Sequence, residues 1–203
     1  MASVRRFVAW INFLLPAWFA ALYLVMSARR PGYSHATDAI SELGSLDAPD
    51  LWVWNVFGYL LPGVAIALLG MTLRQPFAAS RGRSLFAASG LVGFGLLMAL
   101  SGVFPADMTD FASTTTRLHI VGSMGSYLAF LVAGFAYPKL FAANPRWAWA
   151  STPTRVLVWL SIASGFLRFW GEMPGVGQRI TFLLVFLWLA LVSLALLRAT
   201  RRS

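Results

Sequence analysis

The sequence predicts an all-α protein: a polytopic membrane helix bundle of six transmembrane helices with both termini in the cytoplasm. Three observations predict it. Of 203 residues, 59% are hydrophobic and only 11% charged, against about 45–50% apolar and about 25% charged in soluble domains. The apolar residues gather in runs of near-spanning length. The basic residues sit in short clusters between those runs, where they read as topology signals. The net charge of +9 is therefore assigned to orientation, and nucleic acid is excluded as a partner. The absence of cysteine excludes disulfides and thiolate metal sites.

The spans follow in order. The first, 7–27, lies in "RRFVAWINFLLPAWFAALYLVMSARR". It has spanning length and no small-residue cleavage site after it, so it reads as a helix that stays and not as a secretion signal. Pro16 is expected to kink it. The second and third spans are 52–73 and 84–104, and the fourth is 118–138. Small residues in "SGLVGFG" (Ser89 to Gly95), and Gly125, Ala129 and Ala133 at four-residue spacing, would let backbones approach closely. The fifth span, 155–170, is short, and the sixth is 180–197. Together they make one transmembrane unit over 1–203.

Orientation comes from Arg and Lys. Eleven of the sixteen basic residues fall on the side of the termini and of the 74–83 and 139–155 links. The remaining five are Arg29, Arg30, Arg117, Arg168 and Arg179. The positive-inside rule then places the termini in the cytoplasm and the segments 28–51, 105–117 and 171–179 outside. All seven acids (Asp38, Glu42, Asp47, Asp50, Asp107, Asp110 and Glu172) and both histidines fall on that outer side. Acids contribute little to orientation, so topology does not explain the bias. The chain is expected to have one chemically active end.

Three stretches carry the polar chemistry. In "GYSHATDAISELGSL" (Gly32 to Leu46) a short helix capped by Ser34 would bring His35, Asp38 and Glu42 within about 60° on one face. Such a face suits catalysis or metal ligation, or is a hydrated loop. In "FPADMTDFASTTTRLH" Asp107 and His119 come from neighbouring helix ends, where a carboxylate could orient the imidazole as a general base; the alternative is a hydrogen bond tying two helices. In "FLRFWGEMPGVGQR" Arg168, Gln178 and Arg179 lie at helix ends, where guanidinium and free N–H groups suit a phosphate. Arg117 has the same setting, and Ser41 lies beside Glu42. If the three links converge, they form a pocket at headgroup level.

At "ISELG" (Ile40 to Gly44), "FPAD" (Phe104 to Asp107), "LH" (Leu118, His119) and "GQR" (Gly177 to Arg179) the chain resembles a bacterial six-helix membrane family known as domain of unknown function 998. The resemblance implies a multi-pass protein of the bacterial inner (cytoplasmic) membrane, with no activity to transfer. More distantly the chain is similar to the Frag1/DRAM/Sfk1 group, whose members are tied to membrane lipids. The histidine pattern of alkaline-ceramidase-like enzymes and the segments of membrane acid-phosphatase-type enzymes are not met.

Three functions remain open. The first is a membrane enzyme that binds, and hydrolyses or modifies, a lipid or lipid-phosphate. In it Arg117, Arg168, Arg179, Gln178 and Ser41 hold the ligand, and His119, Asp107, His35, Asp38 and Glu42 do the chemistry. A divalent metal could sit on His35, Asp38, Glu42 and His119, although no spaced zinc motif is present. The second is a non-enzymatic lipid-binding accessory, transporter or sensor. The third is a haem protein with His35 and His119 as axial ligands.

Overall fold

The computed structural model describes residues 2–167 and 173–200. Six long helices follow one another: α1 (Ala2–Arg29), α2 (Leu51–Thr72), α3 (Arg81–Val103), α4 (Thr114–Ala142), α5 (Ser151–Phe166) and α6 (Pro174–Thr200). No strand occurs among the described residues. Five of the helices, all but α5, are long and apolar enough to cross a membrane. Where a span over 155–170 is expected the chain forms α5, whose 16 described residues extend about 24 Å, short of the roughly 30 Å hydrocarbon layer. Residues 168–170 of that expected span lie outside the described residues. The helix faces turned outward carry Phe7, Leu14, Leu24, Met71, Leu96, Leu128 and Trp159, all exposed. Water would disfavour such a belt, and lipid tails accept it. The chain is an integral membrane helical protein.

Each helix runs antiparallel to the next, and the contacts give the register. Between α1 and α2, Asn12 Nδ2 donates to the Ala65 carbonyl at 2.9 Å and Trp18 Nε1 to the Phe57 carbonyl at 3.0 Å. Between α2 and α3 the backbones nearly touch: a Cβ on Gly63 would lie 2.4 Å from the Gly95 carbonyl oxygen. The α3–α4 pair runs from Gly90 against Ala133 to Ser101 against His119. Ser151 Oγ on the Pro138 carbonyl joins α5 to α4, and Ser164 with Thr181 joins α5 to α6. The ring closes where Phe19 of α1 packs on Phe182 and Phe186 of α6. The core between the helices is aromatic, centred on Phe130, Tyr137 and Trp188, each fully buried.

Pro16 sits inside α1, which is assigned as one helix from Ala2 to Arg29. The second span is not uniform: residues Asn55–Leu60 form a wider π turn. That turn exposes a backbone carbonyl at Phe57 for Trp18 and directs Asn55 Nδ2 to the Gly44 carbonyl at 2.8 Å.

The up-down order leaves two unlike ends. The links 30–50 and 104–113 and the start of α6 meet at one; the link 73–80 and the link 143–150 lie at the other. Six of the seven acids stand at the first end, in the links and their helix boundaries, and Glu172 lies outside the described residues. We call these the acidic and the basic end.

Candidate functional site

The acidic end is built on a short plug. "ISELG" folds as a tight 3-10 turn, Ile40–Gly44, that inserts Ile40 and Leu43, each 2% exposed, into the bundle. Gly44 has no alternative there: a Cβ would lie 2.5 Å from both Asn55 Oδ1 and Trp54 Cδ1. Glu42 reaches back to accept from the Ala39 N–H at 2.8 Å, satisfying an orphan donor at the turn's start. Arg30 closes the plug from outside. Its Nη1 donates to the Glu42 carbonyl at 2.7 Å and to Ser45 Oγ, and its Nη2 pairs with Asp47 at 2.7 Å. Arg29 pairs with Asp50 at 2.6 Å. Arg29 and Arg30 thus each have a carboxylate partner at their own end of the bundle.

The expected helix presenting His35, Asp38 and Glu42 on one face does not form. Asp38 instead accepts from the Ser34 N–H at 2.9 Å and from the Thr37 hydroxyl at 2.8 Å, and Ser34 Oγ accepts from the Thr37 N–H. Short polar side chains outcompete helical bonding in this way. The Ser34 bond, more than any charge, holds the Asp38 carboxyl below its ordinary range. His35, Asp38 and Glu42 therefore serve three different local networks. Among the described residues no three His, Asp or Glu side chains gather as a metal-ligand set, which corrects the expectation for His35, Asp38, Glu42 and His119.

Asp107 and His119 do not pair either. The Asp107 carboxylate turns inside its own link, accepting from the Thr109 N–H and hydroxyl and from the Asp110 N–H. The Thr109 hydroxyl is the main reason its acidity is raised. Asp107's own N–H goes to Thr116 Oγ1 at 2.8 Å, beside Ser113, which caps α4. His119, 4% exposed, directs Nδ1 to the Ser101 and Phe104 carbonyls, both at 3.0 Å. Both partners are acceptors, so Nδ1 carries the proton. The imidazole satisfies carbonyls left over where Pro105 ends α3, and its ring rests edge-on against Tyr59. His119 ties α3 to α4, as the structural alternative held.

What the acidic end does assemble surrounds Arg179. Pro174 opens α6 six residues earlier than expected, at a first-turn position that proline favours. Arg179 is thus in the second turn, facing α1 and the 31–39 segment. Its Nε donates to Tyr23 Oη at 2.6 Å and its Nη2 to Tyr33 Oη at 2.6 Å. Its Nη1 donates to the Asp38 carbonyl at 2.9 Å and the Gly175 carbonyl at 2.8 Å. The guanidinium carbon lies 5.4 Å from the centroid of each tyrosine ring. Tyr23 accepts from Arg179 and is also hydrogen-bonded to Nδ1 of His35, an exposed residue. Tyr33 donates onward to the Ala39 carbonyl, and burial raises its phenol above its ordinary value while Arg179 pulls the other way.

Four of the five Arg179 N–H groups are thus used, all on neutral oxygens, and one on Nη2 remains. Among the described residues its half-buried cation has no carboxylate partner, whereas Arg29 and Arg30 each have one. Nearby, the Ile40 N–H donates to Gln178 Oε1 at 2.7 Å and the Gly175 N–H to the Ala36 carbonyl at 2.8 Å. Of the other expected ligand residues, Arg117 is exposed and its side chain makes no bond among the described residues; Ser41 is half-buried and likewise unbonded. Arg168 lies outside the described residues.

The links do meet: the Leu46 N–H donates to the Ala106 carbonyl at 2.9 Å, and Gln178 and Gly175 hold 36–40 to α6. Their polar side chains nevertheless divide into separate networks, and the two imidazoles stand in different ones. Tyr23 and Tyr33 were missed. Aromatics at a span end read as interfacial anchors; the one available signal was their closeness in sequence to His35.

With this geometry in view, the chain belongs to the family described as protein of unknown function (DUF998), whose sequence profile matches residues 13–195. No curated protein and no solved structure matches it.

Proposed function

We propose that this member of the DUF998 family crosses the bilayer six times with both termini cytoplasmic, and that its acidic end binds the anionic headgroup of a membrane lipid. The observation that carries the reading is the Arg179 cation, which has no carboxylate partner among the described residues. It keeps one N–H on Nη2 and lies in a cage of Tyr23 and Tyr33, beside the exposed His35. A cation held by neutral groups at a helix-bundle end attracts a phosphate oxygen more than one neutralised by a carboxylate. The phenols hold the guanidinium plane in place, so little side-chain entropy is lost on binding. The arrangement favours binding over hydrolysis, because neither Asp107 nor His119 is placed to act as a general base.

Native mass spectrometry of protein extracted from vesicles of phosphatidylglycerol and phosphatidylcholine tests this. The wild type should retain phosphatidylglycerol. Arg179→Gln should lose it at least tenfold, the equivalent of about 1.4 kcal/mol for one charge-assisted contact. Tyr33→Phe, which loosens the cage and keeps the charge, should stay within about threefold. Retention by Arg179→Gln rejects the reading. Reporters fused after Ser203 and within 28–51 test the orientation; an outward signal from the first rejects it.

A further inference from the structure

The basic end carries a different feature. A cleft of about 420 Å³ opens where α2 passes into α3, lined by Met71, Arg74, Gln75, Arg81, Ser84 and Leu85 among others. The chain bends there at Phe77, whose backbone leaves helical geometry while its buried ring packs on Phe141 and Trp147. The bend therefore has a fixed shape. Arg74 and Arg81 flank the cleft, both exposed. Neither side chain makes a hydrogen bond or ion pair among the described residues, and both ion pairs among those residues are at the acidic end.

Three further facts select the ligand. No acidic residue is found in 72–103, so no carboxylate competes for the arginines. Arg81 is the first residue of α3, where a cation opposes the helix dipole and an anion would relieve it. The rim is apolar: Met71 is 58% and Leu85 37% exposed, on helices long enough to cross a membrane. Two free guanidiniums and a helix start on one side, with hydrocarbon contacts on the other, match a phosphodiester that carries acyl chains.

We propose that this cleft is a second anion site, at the opposite end from Arg179, and that it takes the phosphate of an anionic membrane lipid through Arg74 and Arg81. The site is independent of the Arg179 reading, and its test uses residues that the latter does not touch.

The experiment is photo-crosslinking in nanodiscs containing a photoactivatable phosphatidylglycerol or phosphatidylcholine, with mass-spectrometric mapping of the labelled peptide. Phosphatidylglycerol should label 71–86 preferentially. Arg74→Gln and Arg81→Gln should each lower that labelling about fivefold, the factor equivalent to about 1 kcal/mol of headgroup attraction per arginine near the surface. Arg146→Gln, an equal loss of charge in the other link of the same end, should leave it unchanged. Equal losses in all three variants, or labelling indifferent to the lipid's charge, would overturn the site as a bulk charge effect. Soluble glycerol 3-phosphate separates the two sources of phosphate. If it suppresses the labelling at millimolar concentration, the occupant is a free phosphate ester and the lipid assignment falls. If it does not, the lipid assignment stands.

Discussion

The close approach of α2 and α3 at Gly95 makes the sharpest stability prediction. On α3, Gly95 and Gly93 are two residues apart and face different neighbours. A Cβ on Gly95 would lie 2.3 Å from the Gly63 carbonyl oxygen and 2.4 Å from the Ala67 nitrogen. Both are backbone atoms of α2, so no side chain can swing aside. Ordinary contact needs about 3.5 Å, so Gly95→Ala requires α2 and α3 to separate by roughly 1 Å. Overpacking of this kind costs about 1–3 kcal/mol; alanine's better helix propensity returns up to about 1 kcal/mol. A Cβ on Gly93 would meet only Ala129 Cβ, at 3.5 Å, so Gly93→Ala keeps the propensity gain alone. Thermal unfolding in mild detergent, followed by tryptophan fluorescence, should place Gly95→Ala below the wild type by about 2–4 °C, taking about 1 kcal/mol net of the propensity gain and the size scaling of soluble domains. Gly93→Ala should match or exceed the wild type. Gly63→Ala should behave like Gly95→Ala, and the double variant should lose less than the sum, since one separation relieves both contacts. Equal melting of Gly95→Ala and Gly93→Ala would refute the reasoning.

Other consequences follow from the acidic end. A Cβ on Gly175 would lie 2.5 Å from Arg179 Nη1 and 2.7 Å from the Ala36 carbonyl, so Gly175→Ala should raise amide exchange in 31–39 roughly tenfold while α3 is unaffected; unchanged exchange would contradict the tight seating of 31–39 on α6. His119→Phe should cost about 1–3 kcal/mol by leaving the Ser101 and Phe104 carbonyls without their donor, with His119→Asn recovering part of it in the same melt; a variant as stable as the wild type would deny the tie. Asp38, Asp47, Asp50 and Asp107 all have folded-state acidities above the ordinary one. Their contribution is present above the unfolded carboxylate pKa of about 3.9 and is lost as pH falls from there through the lower folded-state values. Melting temperature should hold from neutral pH to about pH 5 and drop toward pH 3. Asp47→Asn, which breaks the Arg30 pair, should lower it at pH 7 and flatten the drop; a rise on acidification would contradict this sign.

The spans were legible because hydropathy reports burial in lipid directly, whatever the partner helix. Their edges were less so. Pro174 and Gly175 read as a link, yet proline opens α6 and glycine lets the 31–39 segment lie against it. The clustering of acids at one end was legible as a pattern and misleading as chemistry. Asp47 and Asp50 neutralise arginines 17 and 21 residues away, a pairing that depends on the path of the 30–50 link and leaves no periodic trace. Asp38 and Asp107 cap their own turns, which spacing alone does not separate from a ligand role. Arg179 was singled out, together with Arg117, because an arginine at a helix start on that side runs against the topology trend. Its tyrosine partners were not, since Tyr23 and Tyr33 approach it only through the closure of α1 on α6, 156 and 146 residues away.

The central claim is that Arg179 receives an anionic headgroup, and an experimental structure in phosphatidylglycerol nanodiscs tests it most directly. The account predicts a phosphate oxygen within about 3.5 Å of Arg179 Nη2, with the Tyr23 and Tyr33 bonds retained and His35 alongside. A resolved Arg179 cage whose remaining N–H meets only water or protein, with no headgroup at that end, would contradict it.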